Sequence, residues 1–187
     1  AAGRTYRNRR RAFPDGQLVP KARLTPFIQH LRDTWSFRTP FVLPSLAADD
    51  EAYNARTGNG WRGAVWPSLT YMVLRGLSLN EQYGLAHKLA LTHVDAIRRL
   101  HETTGRFWSH YAPEDLSPGE PAEVDAAGQT AAAVITMLLE NVIGVWVDWP
   151  LRQVRLRSDA PLTLVLHNGT EVIQSAVPAG SFSISLD

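Results

Sequence analysis

The apolar repeat of this chain changes once, near Val145, from helical spacing to a period of two, which limits it to a helical portion followed by a small β portion. Between Leu24 and Trp35 the residues Leu24, Phe27, Ile28, Leu31 and Trp35 recur at helical spacing, with Thr25-Pro26 as a cap and first-turn proline. A second helix is predicted to open at Pro67, to present Leu69, Met72, Val73 and Leu77, and to close near Ser78-Leu79-Asn80. The third runs from Glu81 to Thr103, with Leu85, Leu89, Val94, Ile97 and Leu100 on one face and Lys88, Asp95, Arg98, Arg99 and Glu102 on the other. So short a turn between the second and third predicts a helical hairpin. Residues 129–143, QTAAAVITMLLENVI, are apolar nearly all round, the pattern of a helix buried on most sides, and Gly144 should end it.

Beyond Gly144 the pairs and triplets Val154/Leu156, Leu162/Leu164/Leu166, Val172/Ile173 and Phe182/Ile184/Leu186 alternate between turn signals at Ser158–Pro161, Asn168-Gly169 and Pro178–Gly180. Four or so antiparallel strands follow, too few residues to be stable unless they pack on the helices. Asn168-Gly169-Thr170 has the form of a glycosylation sequon, but Asn-Gly is what a hairpin turn wants for backbone reasons. The expected organisation is a basic irregular segment over 1–23, a helical domain over 24–144 and a β appendage over 145–187.

Charge and composition exclude several classes. The formal net charge is +1, and although five arginines fall in the first eleven residues, that cluster is local and has the form of a solvated terminus, so no nucleic-acid partner is expected. No run approaches the roughly 18 apolar residues of a membrane span. Cysteine is absent, which removes disulfide and thiolate chemistry. The six histidines show neither HxH nor HExxH spacing, so neither a metal site nor a cofactor is expected.

Two irregular segments remain, 36–63 and 105–128, each leading into a helix and each rich in aromatic, arginine and carboxylate residues. Rings stack on pyranose faces while guanidinium and carboxylate groups hydrogen-bond hydroxyls, so this composition suits sugar binding. The competing reading is that Trp61, Trp66, Trp108 and Tyr111 are packing residues.

The run DDEAYNARTGNGWRGAVWPSLTYMVLRGL resembles the segment of family 63 glycoside hydrolases in which a Tyr leads into a YWRGPVWP-like loop and a helix, and it is similar to trehalase-type toroids. FRTPFVLPSLAADD before it and QYGLAHKLA after it keep the family's order, and GRFWSHYAPEDLSPGE resembles its FxExYxPxTG loop. The resemblance covers roughly Phe37 to Gly144. It implies a mainly α fold, a partial (α/α)6 toroid of helical hairpins, and inverting hydrolysis of α-glucosidic linkages by two carboxyl groups about 6.5–9.5 Å apart. Four helices are a third of such a ring, so the resemblance implies that the rest comes from an N-terminal part of the same protein or from a completing partner. It also carries Trp61, Arg62 and Trp66 over as contacts to a carbohydrate ligand, and Trp108, His110 and Tyr111 of the second loop are candidate contacts beside them.

The departure lies at the base. Aligning Phe107, Tyr111 and Pro113 with the family motif puts Ser109 where the family has its Glu, and no part of the chain matches the upstream acidic Asp. A serine hydroxyl with no base to activate it cannot deprotonate water near neutral pH. Three explanations stay open: the base has moved to Glu114, Asp115, Glu120 or Glu123; the register is shifted; or the protein is a non-hydrolytic relative, one that binds carbohydrate or is purely structural. His110 is a further candidate base, and the competing reading makes it a hydrogen-bonded packing residue.

Overall fold

A computed structural model of the chain describes residues 19–125, 128–158, 162–168, 171–177 and 180–185. Four helices come first, α1 (Lys21–Arg32), α2 (Pro67–Leu79), α3 (Tyr83–Thr104) and α4 (Gln129–Met137), and α4 runs on into a π-helix over Leu138–Ile143. Five strands follow: β1 (Val145–Asp148), β2 (Gln153–Ser158), β3 (Leu162–Asn168), β4 (Glu171–Val177) and β5 (Gly180–Ser185). The mainly helical body with a small antiparallel tail matches the expectation from periodicity. Most of the basic segment, and the Gly169-Thr170 part of the sequon, lie outside the described residues.

The first helix departs from its expected start. It opens at Lys21 behind an extended Pro20, whose carbonyl accepts the Arg23 amide at 2.8 Å, so Pro26 lies inside the helix instead of in its first turn. The missing amide of Pro26 leaves the Ala22 carbonyl without its helical donor, which is tolerable one turn from a free end. At the other end Asp33 turns extended and its Oδ1 accepts the Trp35 amide at 2.9 Å, so Trp35 falls outside the helix and stays exposed.

Pro67 opens α2 at the position where its missing amide costs nothing, and Gly105 closes α3 in the left-handed region. Gly144 also ends its helix in that region, but its amide reaches Leu139, five residues back, instead of closing an α-turn. The core between these helices contains Leu31, Leu74, Leu77, Leu89, Ala90 and Met137, all buried. A second buried cluster, Phe41, Val65, Ile97, Leu100 and Tyr111, lies under the loops that lead into α2 and α4.

The helix over 129–143 is less enclosed than its composition predicts. Ile135 is 57% exposed, and Leu138, Leu139 and Ile143 are also open, as are Leu69, Met72 (66%) and Leu79 on the adjoining α2. Among the described residues, nothing covers these side chains.

In the tail, β2 is central to a three-stranded antiparallel sheet ordered β1-β2-β5, and β3 pairs with β4 separately. The register sets Asn168 opposite Glu171, and the two residues between them are outside the described set.

Candidate functional site

The two irregular segments fold against each other. Val65 and Tyr111 exchange amide-to-carbonyl hydrogen bonds at 2.8 and 3.0 Å, and the Phe41 amide donates to the Pro113 carbonyl at 2.9 Å. Lower in the loops, the Glu120 amide donates to the Thr57 carbonyl at 3.1 Å. These four bonds, each worth about 1 kcal/mol net, join the chain before α2 to the chain before α4.

Glycine is required at two close approaches. Gly63 has φ +126°, and a Cβ there would lie 2.7 Å from the Tyr53 ring. A Cβ on Gly119 would overlap the His110 ring. Tyr53 in turn donates its hydroxyl proton to Glu114 at 3.2 Å, and burial followed by the Glu114 charge raises its pKa. Sequence reasoning missed this pair. Its only trace was the tyrosine within the DDEAYNARTGNGWRG run.

Trp61, Trp66 and His110 form one continuous stack: Trp61 on Trp66 at 4.8 Å with 13° between planes, and Trp66 on His110 at 4.3 Å with 24°. Trp66 therefore has both faces covered, and its indole N–H donates to the Gly60 carbonyl at 3.2 Å. Trp66 is consequently not a free stacking surface, in contrast to its assignment from the motif. Trp61 is 63% exposed and has an outer face available. Arg62 beside it uses Nε on the Ala52 carbonyl at 2.9 Å, which pins the loop through a backbone acceptor.

Tyr111 is 1% exposed, stacked on Phe41 at 5.0 Å, and its hydroxyl accepts the Trp108 amide at 3.1 Å. Burial holds its pKa up at about 12. It is a core residue, and no surface is left on it for a sugar, which corrects the expectation that it lines the pocket. Trp108 is half-buried, and its indole nitrogen finds no partner among the described residues.

The segment carrying Ser109 is a short antiparallel pair. The Asp125 amide donates to Phe107 at 2.9 Å and the Ser109 amide to Glu123 at 2.8 Å, so Trp108 sits opposite Val124 and Ser109 opposite Glu123. The Glu123 amide turns to the Ser109 hydroxyl at 3.2 Å, and that hydroxyl also lies 3.0 Å from His110 Nδ1. Ser109 is thus held as a loop-bonding group. His110 is held between Trp66 and Gly119, and burial lowers its pKa so that the imidazole is neutral at neutral pH. Asp125 accepts the Thr130 amide, and Thr130 Oγ1 donates to the Trp108 carbonyl at 2.8 Å, which fixes this pair to the start of α4.

The four candidate carboxylates are dispersed around this assembly. Glu114 takes the Tyr53 hydroxyl, and Asp115 is exposed with its carbonyl accepting the Ser117 amide. Glu120 borders an open hollow of about 620 Å³ with Asn54, Arg56, Thr57, Asn59 and Pro121. Glu123 faces Ser109.

Comparison with known proteins bears on this geometry. A family model described as the mannosylglycerate hydrolase MGH1-like glycoside hydrolase domain matches residues 16–129. An uncharacterized protein of Borreliella burgdorferi is 26% identical over 153 residues, covering 74% of this chain and 31% of its own length. A probable mannosyl-oligosaccharide glucosidase of Schizosaccharomyces pombe is 26% identical over 136 residues, 66% of this chain and 16% of its own. The chain therefore spans less than a third of the curated relatives it matches. An uncharacterized conserved protein and a family 63 mannosylglycerate hydrolase in complex with glucose, both from Thermus thermophilus, align at 22% and 24% identity with TM-scores of 0.47 and 0.46. Each alignment covers 64% of this chain and 27% of the other.

Proposed function

The chain belongs to the mannosylglycerate hydrolase MGH1-like glycoside hydrolase family, and on that premise we propose that its joined loops form the saccharide-binding and general-base half of an inverting α-glucoside hydrolase site, with Glu123 as the base. The observation that carries this reading is the antiparallel pairing of Ser109 with Glu123. Directly opposed residues project from one face with Cβ atoms about 4.5–5.5 Å apart, so a carboxylate on residue 123 starts from the side where the family carries its glutamate. The Schizosaccharomyces pombe relative, described as a probable mannosyl-oligosaccharide glucosidase, supports the choice of a glucoside.

In this scheme the exposed face of Trp61 supports a pyranose ring, and Arg62 keeps its terminal guanidinium nitrogens for hydroxyls. Glu123 takes a proton from water, the water oxygen forms a bond to the anomeric carbon, and the glycosidic C–O bond breaks on the opposite face. A carboxylic acid from the remainder of the protein protonates the departing oxygen. That remainder also supplies the ring of helices that the open faces of α2 and α4 lack.

The test uses the full-length gene product and an α-glucoside panel, with the anomeric configuration of the first product followed by NMR. Glu123→Gln should lower kcat by about 10²–10⁴-fold with little change in KM, and adding Ser109→Glu should restore part of it. Full activity in Glu123→Gln would remove the base assignment. A second reading, saccharide binding without hydrolysis, is favoured by the bonded state of the Ser109 hydroxyl. It predicts ligand binding that weakens in Trp61→Ala and no turnover by the unaltered protein.

A further inference from the structure

We propose that the chain carries a second saccharide-binding site, remote in sequence from the joined loops, in the recess between the α2–α3 turn, the π-helix and the β1-β2-β5 sheet. The choice of ligand rests on the saccharide reading above; the site does not depend on Glu123. Two adjoining hollows of about 500 and 440 Å³ share Ser78, Tyr83, Trp146 and Arg157 as walls, a size that accommodates a small organic ligand.

The recess is held in shape by its own backbone. The Arg157 amide donates to the Gly144 carbonyl at 2.8 Å, which seats β2 on the end of the π-helix. Within the π-helix the Asn141 carbonyl lies 2.9 Å from His87 Nδ1, and its side-chain amide donates to Ser78 Oγ at 3.1 Å. Asn141 is 8% exposed and lines the recess, and its Oδ1 has no partner among the described residues. A buried acceptor without a donor costs about 1–3 kcal/mol, but this oxygen is closed to solvent, so the ligand contacts fall to the donors and rings around it. π-Helical turns recur at functional sites.

Arg157 lies 3.7 Å above the Tyr83 ring, with no carboxylate partner among the described residues, so its guanidinium nitrogens remain available. Trp146 meets Tyr83 edge-to-face at 6.4 Å, an arrangement that covers the edge of one ring and leaves indole surface toward the hollow. The wall charges nearly balance, with Arg157 and Lys88 standing against Glu81 once the ion pairs are set aside. Arg75 is balanced by Glu140 and Arg155 by Asp148, each at 3.4 Å, and Glu81 also borders the recess. Donors and acceptors of both signs around an aromatic face match the hydroxyl pattern of a sugar.

Titration calorimetry of the chain with maltotetraose, with circular dichroism as the check on folding, tests this. Two sites should be seen, one weakened in Trp146→Ala and the other in Trp61→Ala. Arg157→Gln, which leaves the rings in place, should weaken the first site about tenfold. Unchanged stoichiometry and affinity in both Trp146→Ala and Arg157→Gln would overturn the proposal while leaving the site at Trp61 standing. Loss of all binding in Trp146→Ala with none in Trp61→Ala would uphold it and remove the other. Binding of sodium sulfate to the recess in place of the sugar would overturn it as well.

Discussion

The joined loops and the outward face of α2 and α4 are opposites in construction. The loops are irregular over most of their length, yet their backbones bond to each other across more than 40 residues of sequence, and Phe41 and Tyr111 sit in a buried cluster. The outward face is helical throughout, yet it leaves Met72, Ile135 and, in the π-helix, Leu139 in the open. Order in this molecule is therefore separable from regularity: a loop is rigid when its polar groups are bonded and its side chains enclosed, and a helix is unfinished when its apolar side is not.

The sharpest test of the loop region uses acid. His93 is fully buried beside Phe41, with both ring nitrogens unpartnered among the described residues, and burial pushes its pKa from 6.5 down to about 3. The folded state refuses a proton that the unfolded state accepts, so this contribution is complete above pH 6.5 and is lost as pH falls from there toward 3. The slope is about 1.4 kcal/mol per pH unit, or about 3 kcal/mol by pH 4. Denaturant midpoints between about pH 7.5 and 4 should fall accordingly, and His93→Leu should flatten the trend. A slope as steep in His93→Leu as in the parent would show that this histidine does not set acid sensitivity.

Next in size is Gly63→Val, which drives a branched side chain into the Tyr53 ring at a left-handed backbone position and should cost about 2–3 kcal/mol. Urea unfolding measures it, and a loss under about 1 kcal/mol would mean that the loop yields. Trp61→Ala should weaken saccharide binding about tenfold while changing stability by less than about 0.5 kcal/mol, because the ring is mostly in solvent. A large stability loss would reclassify Trp61 as packing.

The smallest effect belongs to the other region. Ile135→Lys should alter the stability of this chain by less than about 0.5 kcal/mol, as an exposed change away from packing. In the full-length product the same substitution should cost about 1–3 kcal/mol if further helices cover the face. Equal effects in both would mean that the face is open in the whole protein too.

Much of this was legible beforehand. Helical spacing located α2, α3 and α4, and Gly105 and Gly144 terminated their helices through left-handed backbone, which glycine adopts without penalty. Other features depend on partners far away in the chain. Trp61 and Trp66 are five residues apart in an irregular loop, where no period says which ring is covered, and it is His110 that occupies the second face of Trp66. The start of α1 at Lys21 was hidden by Pro26, whose usual place is the first turn. The π-turn after Met137 follows from contacts to α3 and the sheet that composition does not encode. Ser109 and Glu123 are fourteen residues apart, and only the strand pairing on either side of the loop brings them opposite one another.

The Val65–Tyr111 exchange involves main-chain atoms alone. Replacing a reactive side chain nearby leaves that seam untouched, so a lineage can trade one chemical group for another here without first rebuilding the scaffold.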